Sequence, residues 1–328
     1  MTAIHAAYKS IATLATTLVL ASTACAQTKE APTECDVRIG SGPRGGVYEL
    51  LVRDMQQLCG ETLSICATPS EGGLENLTRL SAGEIDIGFA QVDTLLEMRR
   101  GGDENIQSLQ AVMPLHQNLM HIISLTAGSK MGTREVMGAT IPGTGEVRLL
   151  RRFSDLKGVR IATVGSAQML GQLIEKQVGY GMEFVLAKSD DHALELLRSN
   201  KVQAIFTSGG WPMPNIARHQ IGSGLTLVEY DLPAQPPYVV TRRTYKNLEA
   251  YNFNFLSAPN LLLTRPFKPT GVAGKRVAAL QHCLVSHMDD LQEGRFNGVW
   301  REIKNPTDTL GITRFAGKAE APRSTARR

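Results

Sequence analysis

Beyond residue 26 the chain has no apolar run long enough to cross a bilayer as a helix, so the mature protein is expected to be free of membrane spans. It has only five cysteines, with no CxxC and no paired-histidine spacing beside them, which argues against a metal-held fold. There is no GxSxG, no HExxH and no Walker A lysine, so the serine-hydrolase, zinc-hydrolase and P-loop readings find no support. His116 and His121, like His282 and His287, stand at a spacing that shares neither a helix face nor a strand face, and are read as ordinary histidines. The positive surplus is small as well. A net charge of +4 over 328 residues falls short of a nucleic-acid footprint, which needs Lys and Arg gathered on one face.

What is present is a globular composition, 42% hydrophobic and 20% charged, with length enough for two ordinary domains. The N-terminus carries Lys9, an apolar stretch from Ile11 to Ala24, and the small-x-small sequence Ala24-Cys25-Ala26. This pattern predicts a cleaved signal peptide over 1–26 and export to the periplasm. A membrane anchor and lipid attachment at Cys25 are the weaker alternatives, the second because Ser22 stands where a lipoprotein signal usually has Leu. At the other end, Lys318–Arg328 is basic and has almost nothing to bury, and 306–328 is expected to form a flexible tail.

Cleavage leaves Cys35, Cys59, Cys66 and Cys283. An even number in an exported chain suggests two disulfides among three connectivities, with buried free thiols as the alternative. The short Gly-containing turn between Cys59 and Cys66 favours that pair, leaving Cys35–Cys283 by elimination.

From Asp36 onward short apolar strands alternate with helical stripes such as Leu50, Leu51, Met55 and Leu58. One βαβαβ block ends near Arg99, Leu109–Leu125 reads as two strands interrupted at His116-Gln117-Asn118, and 128–145 reads as irregular. The alternation restarts at Val159. The pattern predicts an α/β protein of two lobes, 36–126 with 257–305 and 127–256, the chain crossing around 127–155 and 230–257. Four small-residue loops follow strands: Gly40–Gly46, Ser70–Gly73, Gly165–Gln168 and Ser208–Trp211. The first formally matches GxGxxG, but export and the lack of an acidic residue ending the second strand disfavour a dinucleotide. What remains is backbone approach and free N–H groups at helix starts, suited to an anion.

The runs Val37–Tyr48, Ser70–Leu77, Ala82–Asp93, Leu156–Arg160 and Ala258–Leu262 resemble, in order, the TAXI solute-binding proteins, the extracytoplasmic receptors of one branch of the TRAP transporters. The resemblance implies a type II periplasmic-binding-protein fold, two α/β lobes with a ligand cleft and a hinge of two crossings. It implies a small organic anion as ligand, a glutamate-like amino acid or dicarboxylate, delivered to an ion-driven membrane partner by a monomeric receptor without cofactor or catalysis. It would place Ser41, Gly46, Val47, Tyr48, Asn76 and Gln91 at the ligand from one lobe, and Ser166, Gln168, Ser208 and Trp211 from the other. Arg44, which stands in place of a smaller family residue, could meet a carboxylate or face solvent. A receptor for an ATP-driven importer or sensor kinase, and an enzyme on the same fold, are the competing readings.

Overall fold

Strands with one or both faces buried, many of them followed by a helix with a single apolar stripe, organise the chain from Cys35 on. The computed structural model describes residues 35–137, 139–142, 145–165 and 167–317. The expected signal peptide, Ser166 and the segment 318–328 lie outside the described residues.

The first block contains β1 (Val37–Gly40), α1 (Val47–Cys59), β2 (Ile65–Thr68), α2 (Gly73–Ala82), β3 (Ile87–Gln91), α3 (Val92–Arg100), α4 (Glu104–Gln107) and β4 (Gln110–Leu125). Four short strands follow: β5 (Ser129–Lys130), β6 (Thr133–Val136), β7 (Ala139–Pro142) and β8 (Val147–Arg148). Then come β9 (Arg160–Val164), α5 (Ala167–Val178), β10 (Glu183–Ala187), α6 (Asp190–Arg198), β11 (Ala204–Gly209), α7 (Pro214–Ala217), β12 (Leu225–Leu227) and β13 (Val239–Tyr245). The chain returns through β14 (Ala250–Thr264), α8 (Val272–Ser286) and α9 (Met288–Gln292).

One sheet runs β10-β9-β11-β4-β14-β3-β1-β2. β1 is parallel to β2 and β3, β9 is parallel to β10 and β11, and β14 runs antiparallel to both β3 and β4. Two lobes thus share a sheet through the long strands β4 and β14. The cores divide accordingly. Leu115 and Leu261 pack with first-lobe residues such as Leu51, Phe89 and Leu80, whereas Leu119 and Ala258 pack with Phe206, Leu170 and Leu197 of the second lobe. The crossings therefore lie inside two strands, near 115–119 and 258–261, and not in the connections around 127–155 and 230–257. The apolar run of 109–125 is a single strand because both of its halves are buried; its polar triplet marks the crossing.

In α1 the buried face is Tyr48, Leu51, Val52, Met55 and Cys59. Side chains such as Leu51 and Met55, removed from water, contribute about 1.5–3 kcal/mol each. The stretch expected to be irregular contains two antiparallel pairs, β5 with β8 and β6 with β7. It ends in a 3-10 turn, Phe153–Leu156, that drops Phe153 and Leu156 into the second core.

Two further expectations are overturned. The disulfides are Cys35–Cys66 and Cys59–Cys283, not Cys59–Cys66 and Cys35–Cys283. The pleat explains this: Ile65 faces the α1 side of the sheet, so its neighbour Cys66 points away from α1. Parallel pairing of β1 with β2 brings Cys35 to it. Cys59, buried at the end of α1, meets α8 instead. Nor is 306–317 a flexible tail. Ile312 and Phe315 are buried, and the Phe315 N–H donates to Ala111 O at 2.9 Å.

Candidate functional site

The carboxyl ends of the parallel strands in the two lobes face each other, and their loops enclose a cavity of about 300 Å³. The first lobe supplies Gly46, Val47 and Tyr48 from the start of α1, Gly72 and Gly73 from the start of α2, and Gln91 from the end of β3. The second supplies Gly165, Ala167, Asp190, Ser208, Gly210 and Asn215. Neither α1 nor α2 is capped by a side chain at its N-terminus. Two helix starts, with the positive end of each dipole, therefore face the cavity.

The lobes already touch here. Gln91 Nε2 donates to Ser208 Oγ at 3.4 Å across the cleft, and Lys176 on α5 pairs with Glu97 on α3 at 3.1 Å. Gly210 lies so close to the first lobe that a Cβ there would stand 2.9 Å from Val47 Cγ2 and 3.0 Å from His116 Nε2.

Beneath the cavity, at the crossing, is a buried polar network. The Tyr48 hydroxyl donates to Asn260 Oδ1 at 2.5 Å and accepts from Asn118 Nδ2 at 3.2 Å. Asn260 Nδ2 donates to His116 O at 3.1 Å, beside the place where the β14–β4 register shifts between Pro259 and Leu261. His116 Nε2 meets Asn118 Oδ1 at 3.1 Å, and the Tyr48 ring stacks on Phe89 with centroids 4.7 Å apart. Side-chain amides thus bond where the ladder is interrupted, which satisfies groups that burial would otherwise penalise.

Burial also sets the titrations. It pushes His116 down to about 4, despite opposing influences from Glu302 and Asn118, and His121 down to about 3. Both rings are neutral at physiological pH. Asp93, in the first turn of α3, is pushed up to about 6 by burial. The Thr94 N–H donates to its Oδ1 at 2.7 Å, and the nearby Tyr238 hydroxyl also holds the value back. Its Oδ2 has no partner in normal hydrogen-bonding geometry.

Of the residues expected at the ligand, Gly46, Val47, Tyr48, Gln91 and Ser208 stand on the cavity wall. The structure does not bring Ser41, Asn76, Gln168 or Trp211 to it. Ser41 is buried, its N–H donating to Thr68 O at 2.8 Å. Asn76 sits behind the loops: its Nδ2 donates to Gly40 O and Phe89 O, and its Oδ1 accepts from Ser70 Oγ at 2.7 Å. It ties together the ends of β1 and β3 and the loop before α2. Gln168 is partly exposed on α5. Trp211 carries the Arg243 guanidinium over its ring at 5.5 Å. Arg44 is exposed and off the wall.

Sequence reasoning passed over Asn118, Asp190 and Asn215. The polar triplet in an apolar strand signalled the first. Asp190 opens α6, where an acidic residue reads simply as a partner for the helix dipole. Nothing in the sequence sets Asn215 apart. Among the described residues no group of three or more His, Cys, Asp or Glu is placed to hold a metal ion, and no helix is long and apolar enough to cross a membrane.

Two α/β lobes joined by two strand crossings, with a cavity between them at the strand ends, define a type II periplasmic-binding-protein fold. No protein-family model and no curated protein sequence matches this chain. Several solved structures are similar at low identity. The Tv2483 protein bound to L-arginine shares 14% identity, with a TM-score of 0.48 over 78% of this chain and 86% of that one. AbpA, an amino acid ABC transporter substrate-binding protein from Streptococcus pneumoniae Canada MDR_19A bound to L-arginine, shares 8%, with a TM-score of 0.47 over 81% and 94%. The GluR0 ligand-binding core with L-glutamate shares 12%, with a TM-score of 0.45 over 77% and 95%.

Proposed function

We propose that this protein is a periplasmic solute-binding receptor that closes its two lobes on a small carboxylate and presents it to a membrane transporter. The observation that carries this reading is the cavity itself. Both lobes build it, two uncapped helix starts face it, and Gln91 reaches across it to Ser208. A ligand touching both walls stabilises the closed form through its greater affinity for that form. A micromolar site needs about 8 kcal/mol. Three to five hydrogen bonds to a charged group, at roughly 1.5–3 kcal/mol each, supply that after ordering costs. Backbone N–H groups at Val47, Tyr48 and Gly73, with Gln91 and Ser208, are the donors in this reading, and no catalytic group is required. Ser166, in the loop before α5, is proposed as a further contact. The sequence resemblance supports an ion-driven partner of the TRAP type, and the N-terminal pattern of Lys9, Ile11–Ala24 and Ala24-Cys25-Ala26 supports export by a signal peptide.

Native mass spectrometry of the freshly purified mature chain should reveal a small carboxylate bound without a covalent bond. Gln91→Ala should weaken its rebinding by about tenfold, the worth of one charge-assisted bond. A bare mass, together with no thermal shift from any organic acid or amino acid, would overturn the reading.

A further inference from the structure

Two ion pairs join the lobes, and their surroundings differ. Lys176 and Glu97 meet at 3.1 Å with the Lys176 side chain 69% exposed, and a pair so open to water contributes little. Arg243 and Glu302 meet at 2.7 Å with only 23% and 16% of their side chains exposed. We propose that Arg243 and Glu302 are positioning residues of the receptor: their pair ties the wall loop 209–213 to the first lobe and sets how readily the cleft closes. The proposal rests on the receptor reading and adds to it two residues that stand off the cavity wall.

Glu302 belongs to the first lobe. It ends the 3-10 turn Gly298–Glu302, whose Val299 and Trp300 are buried in the first core. Its Oε2 accepts from the Gln117 N–H at 3.0 Å, inside the β4 crossing, and its Oε1 accepts from Arg243 at 2.7 Å. One oxygen is thus held by the hinge strand and the other by the second lobe. Arg243 belongs to that lobe: it stands in β13 opposite Phe253, and Tyr245 on the same strand is buried in the second core.

The strand that bears Arg243 also carries the wall loop. The Arg243 guanidinium stands over the Trp211 ring at 5.5 Å, and the Tyr245 hydroxyl accepts from the Met213 N–H at 2.9 Å. Around these two anchors, Gly209, Gly210 and Met213 line the cavity. When the second lobe lifts, β13 and the loop travel together, whereas Glu302 stays with the first lobe. Opening therefore breaks a charge-assisted bond and leaves the Trp211 and Tyr245 anchors intact, so the cost falls on the open form alone. A contact made in one form and lost in the other biases the equilibrium by that difference, and a ligand that needs the closed form binds more tightly for it.

The test uses the purified mature chain, with L-glutamate, L-arginine, glutarate and hexanoate as calorimetric probes. For the tightest of these, Arg243→Gln and Glu302→Gln should each weaken binding by about tenfold. The double variant should be no weaker than the worse single one, because the two residues act through one bond. Arg243→Lys, which keeps the cation, should recover most of the affinity, and Lys176→Gln should change it by no more than about twofold. In a Trp300→Phe background, Trp211 emission should respond to the probe, and Arg243→Gln should require proportionally more probe for the same response. Circular dichroism would establish folding, and Glu302→Gln, on the other lobe, asks the same question should Arg243→Gln fail to fold. Unchanged affinity in either Gln variant, full additivity in the double variant, or Arg243→Lys as weak as Arg243→Gln would overturn the pairing and leave the receptor reading standing. Binding of no probe by the folded wild-type chain would count against the receptor reading itself. X-ray scattering then decides the pair, since a ligand-free radius of gyration unaltered by Arg243→Gln would overturn it as well.

Discussion

The two lobes share a sheet and a fold pattern but are built to different tolerances. Both disulfides belong to the first, clasping β1 to β2 and α1 to α8, whereas the second has none. The first lobe also closes its core with the chain's final described segment, through Ile312 and Phe315. The second is edged by short strand pairs and by β13, which adds only to β14. The contrast suits a division of labour: a braced lobe holds the helix starts in place, and a more loosely edged lobe brings Ser208, Asp190 and Asn215 to meet them. Preorganising one wall lowers the ordering cost of binding.

The largest effect expected from breaking that contrast is on the brace. Cys59–Cys283 spans 224 residues of sequence. The chain-entropy model assigns such a loop about 5 kcal/mol. Cys59→Ser with Cys283→Ser should destabilise the first lobe by several kcal/mol in guanidinium titrations. The chain's two tryptophans, Trp300 buried in the first core and Trp211 packed against the second, allow Phe variants to report each lobe separately. Equal shifts at both reporters would show that the lobes unfold as one unit.

Acid should act next. His116 and His121 are held below their unfolded values, so between about pH 6.5 and 4 the unfolded chain binds more protons and stability falls as pH drops. Asp93, raised to about 6, acts oppositely between about pH 6 and 4. Two histidines against one aspartate leave a net loss of about 2–3 kcal/mol from pH 7 to 5. Denaturation midpoints against pH would measure it, and Asp93→Asn should steepen the fall. A flat profile would contradict the burial of both rings. The smallest effect concerns the contact between the lobes. Gly210→Ala, crowding Val47 and His116, should weaken ligand binding by about tenfold, or roughly 1.4 kcal/mol, with little change at either tryptophan reporter.

Much of the fold was legible because a period-3.6 stripe survives where one helix face is buried, as in α1, and because a strand buried on both faces, such as β3, reads as a short apolar run. Loop ends were legible too: Gly46, Tyr48, Gln91 and Ser208 lie next to strand or helix boundaries that small residues announce. Long-range relations were harder. The cysteine pairing depends on which side of β2 Cys66 faces, and nearness in sequence says nothing of that. Asn76 carries a polar side chain at a helix start, as a ligand contact would, yet it bonds to two backbone carbonyls and Ser70, a role visible only once β1 and β3 are placed side by side. Asp190 and Asn215 meet from separate helices, so neither segment alone reveals the pair.

The crossing of β4 and β14 has a mechanical consequence. Around the crossing Ser257, Ala258 and Pro259 stand opposite Leu119, Asn118 and Gln117, so the two connections are laced together and form a ribbon. Two paired connections resist swivelling more than a single one would, so bending across the ribbon is the motion this crossing favours. Any membrane protein docking on both lobes would then read ligand occupancy as a single angle.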